Sequence, residues 1–416
     1  MGRRVSVVAV GSPVHPLRQK VSTLDRLIEV IRRAGFEVNI IGNIVSSFND
    51  VLTIQDRILE VSEPLLILHL TGGTSKIALE TAKWSNAPIT LVAHGKSNSL
   101  PSSLEAYNKL KGLGLDVEIR FVNLKNGKLE ISYKTMDFEG CMVIFGEVAP
   151  RTFDVTCPAT LAQRLKVRVK HVSGDELERQ VIKHQHRIDV MEEFLSSFKG
   201  EVQVARGELQ LSLAFKEAIS EVIRRAGCNV FTIDCFEVIK RMHVTPCLAV
   251  SLLAREGILG ICEADIQAAA CMISVWRLTH PFMGNITAID DEEDSVILAH
   301  CTAAITLASN ESAVKLKSHF ETDRSVSVDV PLKLGDSVMI SCDPKLREAS
   351  LVECLVDRSQ LEHEGMCRTQ VLLKVKSKPS KILSSWPSGH AVLALQVSMQ
   401  EVKRELIKRG FHVNEL

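Results

Sequence analysis

The 416-residue sequence has no excess of either charge: 50 lysines and arginines balance 50 aspartates and glutamates, and no strongly basic block breaks that balance. A nucleic-acid footprint is therefore missing, and the composition points to a small-molecule task. No apolar stretch approaches the roughly 20 residues of a membrane span. The first apolar run, Val5-Ser6-Val7-Val8-Ala9-Val10, is interrupted by Gly11-Ser12-Pro13. That is too short for a signal-peptide core, so the run reads as the first strand of a soluble, cytoplasmic protein. The 11 cysteines include no Cys-x-x-Cys spacing, and their odd number and scatter fit reduced thiols better than a disulfide framework. Internal repeats and low-complexity linkers are also missing.

What is present is an ordinary globular composition, 45% hydrophobic and 24% charged, in a chain longer than one core usually supports. Two or three domains are expected. Short apolar runs at Arg4–Val10, Glu37–Ile41, Leu65–Leu70, Ile89–His94 and Asp116–Phe121 alternate with amphipathic segments such as Thr23–Ala34. That alternation predicts a parallel sheet covered by helices. A second such unit is expected from residue 140, with strands at Cys141–Phe145, Val167–His171 and Asn229–Ile233. Its helices are expected at Ala159–Leu165, over the charged stretch Asp175–Phe198, and at Leu209–Ala226. Beyond about 308, β-branched runs at Val326–Val330, Ser337–Ser341, Leu351–Val356 and Thr369–Val375 predict antiparallel strands, before a helical tail at Ser398–Lys408. The expected class is thus α/β, with two doubly wound parallel-sheet domains (1–139 and 140–307) followed by a β-rich, barrel-like C-terminal domain (308–416).

Four segments carry candidate chemistry. Thr71-Gly72-Gly73-Thr74 follows a strand and precedes a helix, where ligands collect at the carboxyl end of a parallel sheet. The segment lacks a Walker lysine and a dinucleotide fingerprint, so no nucleotide is inferred, and a tight turn that needs glycine explains it equally well. Asn98-Ser99-Leu100-Pro101, after the next strand, is suited either to lining a sugar cleft beside that loop or to capping a helix. In Cys262-Glu263-Ala264-Asp265 an apolar strand ends in two carboxylates one residue apart, which alternation would point in similar directions. Such a pair offers oxygen ligands to a hard divalent ion, while Asp265 is also placed to cap the apolar helix that follows. His300 ends the run Ser295–Ala299, and His390 follows the turn Pro387-Ser388-Gly389, though lone histidines are more often structural.

The order of these segments, together with Pro246–Leu253, His300-Cys301-Thr302 and Ser318-His319-Phe320-Glu321, resembles short members of the L-fucose isomerase-like group, within the L-fucose/L-arabinose isomerase superfamily. The resemblance spans nearly the whole chain. It implies a homo-oligomeric, metal-dependent enzyme that interconverts aldoses and ketoses through an enediol, using a divalent ion, commonly Mn²⁺, held by two carboxylates and a histidine. Carried over, Glu263 and Asp265 are the catalytic and metal-binding carboxylates, and His390 is the histidine ligand. Thr71, Gly72, Gly73, Thr74, Asn98, Ser99 and His300 are the expected sugar-binding residues. The sequence departs from the pattern at the upstream carboxylate of the fucose type, which falls near Pro246; Asp234, Glu237 and Glu256 are the nearby substitutes. In the arabinose-type alignment the second acid falls near Gly284-Asn285, while His300 matches a histidine. The missing acid motivates an alternative, a non-catalytic sugar-binding or regulatory protein on the same scaffold.

Overall fold

The N-terminal apolar runs pair as expected. In the computed structural model, which describes residues 3–124, 127–131, 133–146 and 156–416, they form β1 (Arg3–Val10), β2 (Phe36–Ile40), β3 (Leu65–His69), β4 (Ile89–His94) and β5 (Val117–Val122). All neighbours are parallel, in the order β2-β1-β3-β4-β5. β3 and β4 are buried along their full length, as central strands covered on both faces must be. The first helix begins at Leu17 rather than Thr23, because Pro16, at φ −56°, presets the backbone just ahead of the first turn. A capping box of Ser47 and Asp50 starts the second, Phe48–Leu59.

The chain divides into two compact units, Met1–Gly140 with Phe153–Lys170, and Cys141–Thr152 with His171–Leu416. The five-stranded sheet belongs to the first. The second contains, in chain order, β6 (Gly140–Phe145), the end of β7 (Val167–Val172), β8 (Glu201–Val202), β9 (Val230–Ile233) and β10 (Leu259–Ile261). β9 lies between β6 and β10, parallel to both. The charged stretch expected as one helix is two, Gly174–His184 and Ile188–Ser197. The long helix Arg206–Ala226 ends at Gly227 in the left-handed region, a conformation glycine adopts without Cβ strain. One disulfide, Cys141–Cys228, corrects the expectation of thiols alone; it joins β6 to the segment after that helix across 87 positions, a proximity that no local spacing reveals. The other nine cysteines are free.

The remaining strands are β11 (Phe282–Asp290), β12 (Ser295–His300), β13 (Lys315–Lys317), β14 (Ser327–Asp329), β15 (Gly335–Cys342), β16 (Glu348–Ser359), β17 (Thr369–Val375), β18 (His390–Leu395) and β19 (His412–Glu415). Six of them close an antiparallel barrel in the order β15-β18-β11-β12-β17-β16, with β15 pairing back to β16. Alternate residues, including Val296 and Leu298, Val371 and Leu373, and Ala391, Leu393 and Leu395, fill the core, the period-two pattern of strands with one face inward. Register shifts in β11 and β16 mark bulges that bend the wall. The fold class is therefore the expected one. The β-rich region takes in β11 and β12, so it starts at Phe282, ahead of residue 308. No helix among the described residues is long and apolar enough to cross a membrane.

Candidate functional site

The short strand β10 stops at Ile261, one residue before the acidic segment. Glu263 and Ala264 then adopt left-handed φ values of 62° and 49°. This turn ends the strand before Glu263, and both carboxylates nevertheless reach the same imidazole, Glu263 at His390 Nε2 and Asp265 at His390 Nδ1. Three bonds hold the turn: the Glu263 N–H donates to Cys235 Sγ at 3.4 Å, the Ala264 N–H to the Ile233 carbonyl at 3.0 Å, and the Asp265 N–H to the Cys262 carbonyl at 3.3 Å. Asp265 is the N-cap of the buried helix Ile266–Val275, and its Oδ1 accepts the Ala268 N–H at 2.8 Å. Its other oxygen, Oδ2, lies 2.7 Å from His390 Nδ1.

The two histidines come from the barrel. His390 opens β18 and pairs in register with Asn285 of β11, whose other neighbour is Ala299 of β12, next to His300. The antiparallel wall thus brings together residues 90 positions apart in chain numbering. The turn before His390 is fixed at its carbonyl, which accepts from Trp386 Nε1 at 3.2 Å and from Ser388 Oγ at 2.7 Å. The rings of His300 and His390 stand 5.9 Å apart between centroids. Between them sits the Glu263 carboxylate, Oε1 at 3.5 Å from His300 Nε2 and Oε2 at 3.6 Å from His390 Nε2. One ligand atom from each of Glu263, His300 and His390 lies within 4.8 Å of the other two.

The electrostatics of this cluster are tightly coupled. Burial alone would raise the Glu263 pKa, but the two imidazoles outweigh it and hold the carboxyl well below the usual range. Burial alone would lower His390, yet Asp265 and Glu263 push it up to about 10. His300 is 5% exposed, and neither of its ring nitrogens has a hydrogen-bond partner. Buried polar atoms are rarely left so, and an orphaned imidazole facing a carboxylate and a second imidazole is the donor set of a divalent cation. The residues present fit such an ion. Asp265 Oδ2, against His390 Nδ1, is placed to orient that imidazole, the arrangement in which a carboxylate braces a histidine that holds a metal.

The candidate substitutes for the upstream acid have other partners, although Asp234 sits between Ile233 and Cys235, which hold the Glu263 turn. Asp234 caps the helix Cys235–Met242, Glu237 pairs with Lys240, and Glu256 pairs with Lys216 and Arg224. His280 had no sequence signal, being a single histidine without a motif. It lines a small cavity of about 20 Å³ with Cys262, Met272, Met283, His300 and Thr302, and burial lowers its pKa to about 4.

The expected sugar-binding loops sit in the first unit, at the carboxyl edge of its sheet. The Gly72 N–H donates to the Ser97 carbonyl at 2.6 Å, and a Cβ on Gly72 would stand 2.8 Å from Asn98 Cβ, so glycine lets the two loops touch. Thr71 Oγ1 accepts the Ser12 N–H at 2.8 Å, and Thr74 Oγ1 lies 2.9 Å from His69 Nδ1. Ser99 Oγ ties β4 to β3, accepting from the His94 N–H at 3.1 Å and donating to the His69 carbonyl at 2.6 Å. Thr74 and Ser99 are fully buried within these ties, while Gly73 and Asn98 face solvent.

No family model matches the chain. Over 127 residues it is 25% identical to the sulfoquinovose isomerases of Priestia aryabhattai and Priestia megaterium. Over the same length it is 24% identical to that of Alkalicoccus urumqiensis. Each match covers 29% of this chain and 28–29% of the relative, so the chain spans less than a third of the length of these relatives, a narrower likeness than the ordered motifs imply. Over that portion the chain is similar to sugar isomerases, with nothing that singles out the L-fucose type.

Proposed function

We propose that the protein is an aldose–ketose sugar isomerase whose site is the cluster of Glu263, His300 and His390, holding a divalent cation, Mn²⁺ in the first instance. The observation that carries this reading is the buried, unpartnered His300 imidazole facing Glu263 and the Asp265-braced His390. The partial similarity to sulfoquinovose isomerases supports the reaction class.

Moving a carbonyl between C1 and C2 removes a proton from the carbon α to it, passes through an enediol, and returns the proton to the neighbouring carbon. Glu263 is placed for that shuttle because its side chain remains 29% exposed; the two imidazoles that hold its pKa down work against protonating it. Asp265 works through His390 as a positioning residue. A bound divalent ion would stabilise the negative charge that develops on the sugar oxygens.

The test is metal analysis of the purified protein, followed by a sugar panel that includes sulfoquinovose, L-fucose and L-arabinose. We expect a stoichiometric divalent ion, and loss of both ion and turnover in Glu263→Gln and His390→Ala. Unchanged metal content in both variants sinks the proposal. One observation favours the second reading, a non-catalytic sugar-binding protein: both Asp265 oxygens are committed, which leaves Glu263 as the uncommitted carboxylate of the cluster. A sugar that binds but shows no C2 hydrogen exchange in heavy water with Mn²⁺ present would establish that alternative.

A further inference from the structure

The strand order β2-β1-β3-β4-β5 reverses between β1 and β3, which makes the carboxyl ends of these two strands the switch point of the first unit's sheet. Open α/β sheets bind ligands in the crevice at that point. Here the crevice is walled by Gly11-Ser12 after β1 and by Thr71-Gly72-Gly73 after β3. The Ser12 N–H donates to Thr71 Oγ1 at 2.8 Å, and a Cβ on Gly73 would stand 3.6 Å from Ser12 Oγ.

Lys20, on the first turns of the helix Leu17–Arg33, reaches back into this crevice. Its stem lies over Gly11, where a Cβ would come within 2.7 Å of Lys20 Cδ, so the missing side chain is what allows the lysine to cross the end of β1. The lysine is only 6% exposed. Its ammonium donates to the Ser12 carbonyl at 3.1 Å and makes no ion pair among the described residues. Burying an ammonium is costly unless an anion accompanies it, and a single neutral carbonyl is a weak substitute. Ser12 is itself buried, its hydroxyl has no hydrogen-bond partner among the described residues, and the neighbouring Gly73 backbone faces solvent.

We propose that the first unit holds a binding site for a tetrahedral oxyanion, the phosphoryl or sulfo group of a small ligand. The site lies at the β1/β3 switch point, with the Lys20 ammonium, the Ser12 hydroxyl and the Gly73 amide as donors. The ammonium supplies the charge, the hydroxyl a second bond, and the glycine an approach with no side chain in the way. This site stands apart from the isomerase reading, since none of its residues belongs to the Glu263 cluster.

The experiment titrates inorganic phosphate and sulfate separately into the full-length protein, followed by calorimetry and thermal shift. We expect saturable binding of at least one anion, weakened tenfold or more in Lys20→Gln and changed less than about threefold in Lys20→Arg, because the arginine keeps the charge. Ser12→Ala spares the lysine tether, which uses the carbonyl, and is expected to weaken binding several-fold on its own. That variant carries the test if Lys20→Gln does not fold. Glu263→Gln is expected to bind as the wild type does, so failure of the isomerase reading and failure of this one are separable. Preference for phosphate assigns a phosphoryl ligand and preference for sulfate a sulfo ligand. No saturable binding of either anion by the wild type, or wild-type affinity in every folded variant at Lys20 and Ser12, overturns the assignment.

Discussion

Asp265 offers a sharp test of the site, because its two oxygens perform separable jobs. Oδ1 caps the helix Ile266–Val275 through the Ala268 N–H, and Oδ2 meets His390 Nδ1. Both partners are donors, so the position needs two acceptors. Asp265→Ala removes both. Losing an N-cap costs about 1 kcal/mol, and leaving the His390 nitrogen without its charged acceptor adds roughly 1–3 kcal/mol. A total loss of about 2–4 kcal/mol is expected, read from urea unfolding of the chelator-treated protein. Asp265→Asn is subtler, because the amide has one acceptor oxygen. If that oxygen keeps the cap, its NH₂ faces His390 Nδ1, which must then accept. The ring proton moves to Nε2, the atom turned toward Glu263. The cap survives at a cost of about 1 kcal/mol or less. The imidazole, however, presents a proton where a cation needs a lone pair, and metal affinity is expected to fall by about 10–100-fold. Competition with a chelator of known affinity measures this. Wild-type metal affinity in Asp265→Asn, or a loss in Asp265→Ala no larger than the cap alone, refutes the two-acceptor argument.

Two further outcomes follow from the same reasoning. His300 makes no hydrogen bond, but its Nε2 stands 3.5 Å from Glu263 Oε1 and helps hold that carboxylate ionised, so His300→Leu is expected to cost the ion-free protein about 1 kcal/mol while abolishing metal retention; wild-type metal retention in this variant, or an ion-free protein more stable than the wild type in urea unfolding, counts against the cluster. His69, fully buried in β3, has its pKa lowered to about 3, by burial first and by His94 second. In the unfolded chain it takes up a proton near the ordinary histidine value of 6.5 and in the folded protein only near 3, so between those values the unfolded state binds more protons and stability falls as pH falls. His69→Gln should flatten that acid slope of the first unit between pH 7 and pH 4, and an identical slope in the two proteins counts against the buried neutral imidazole.

Much of the fold was legible in the sequence because it rests on local rules. The largely apolar runs Leu65–His69 and Ile89–His94, buried at every position, fit strands that helices cover on both faces, and the turns after them carry glycines. The apolar run Val371-Leu372-Leu373 within Thr369–Val375 likewise announces a strand. β11 and β18 were less visible. Met283-Gly284-Asn285 interrupts the pattern in one, and a turn runs directly into the other, so only their pairing partners establish them as strands.

The sequence by itself determined the α/β class with its β-rich end, the acidic segment at Glu263 and Asp265, and the interest of His390, since periodicity, turn chemistry and motif order act over a few residues. The tertiary structure alone decided what those residues do. A left-handed turn at Glu263 and Ala264 replaces strand alternation and sets the two carboxylates on the two nitrogens of one imidazole, His390. The helix start claims one oxygen of Asp265, and His390 claims the other. Barrel closure brings His300 against Glu263, making a three-residue cluster from parts of the chain that no spacing rule connects. Register across a sheet is set by the packing of the whole wall, and that information is not local to any one segment.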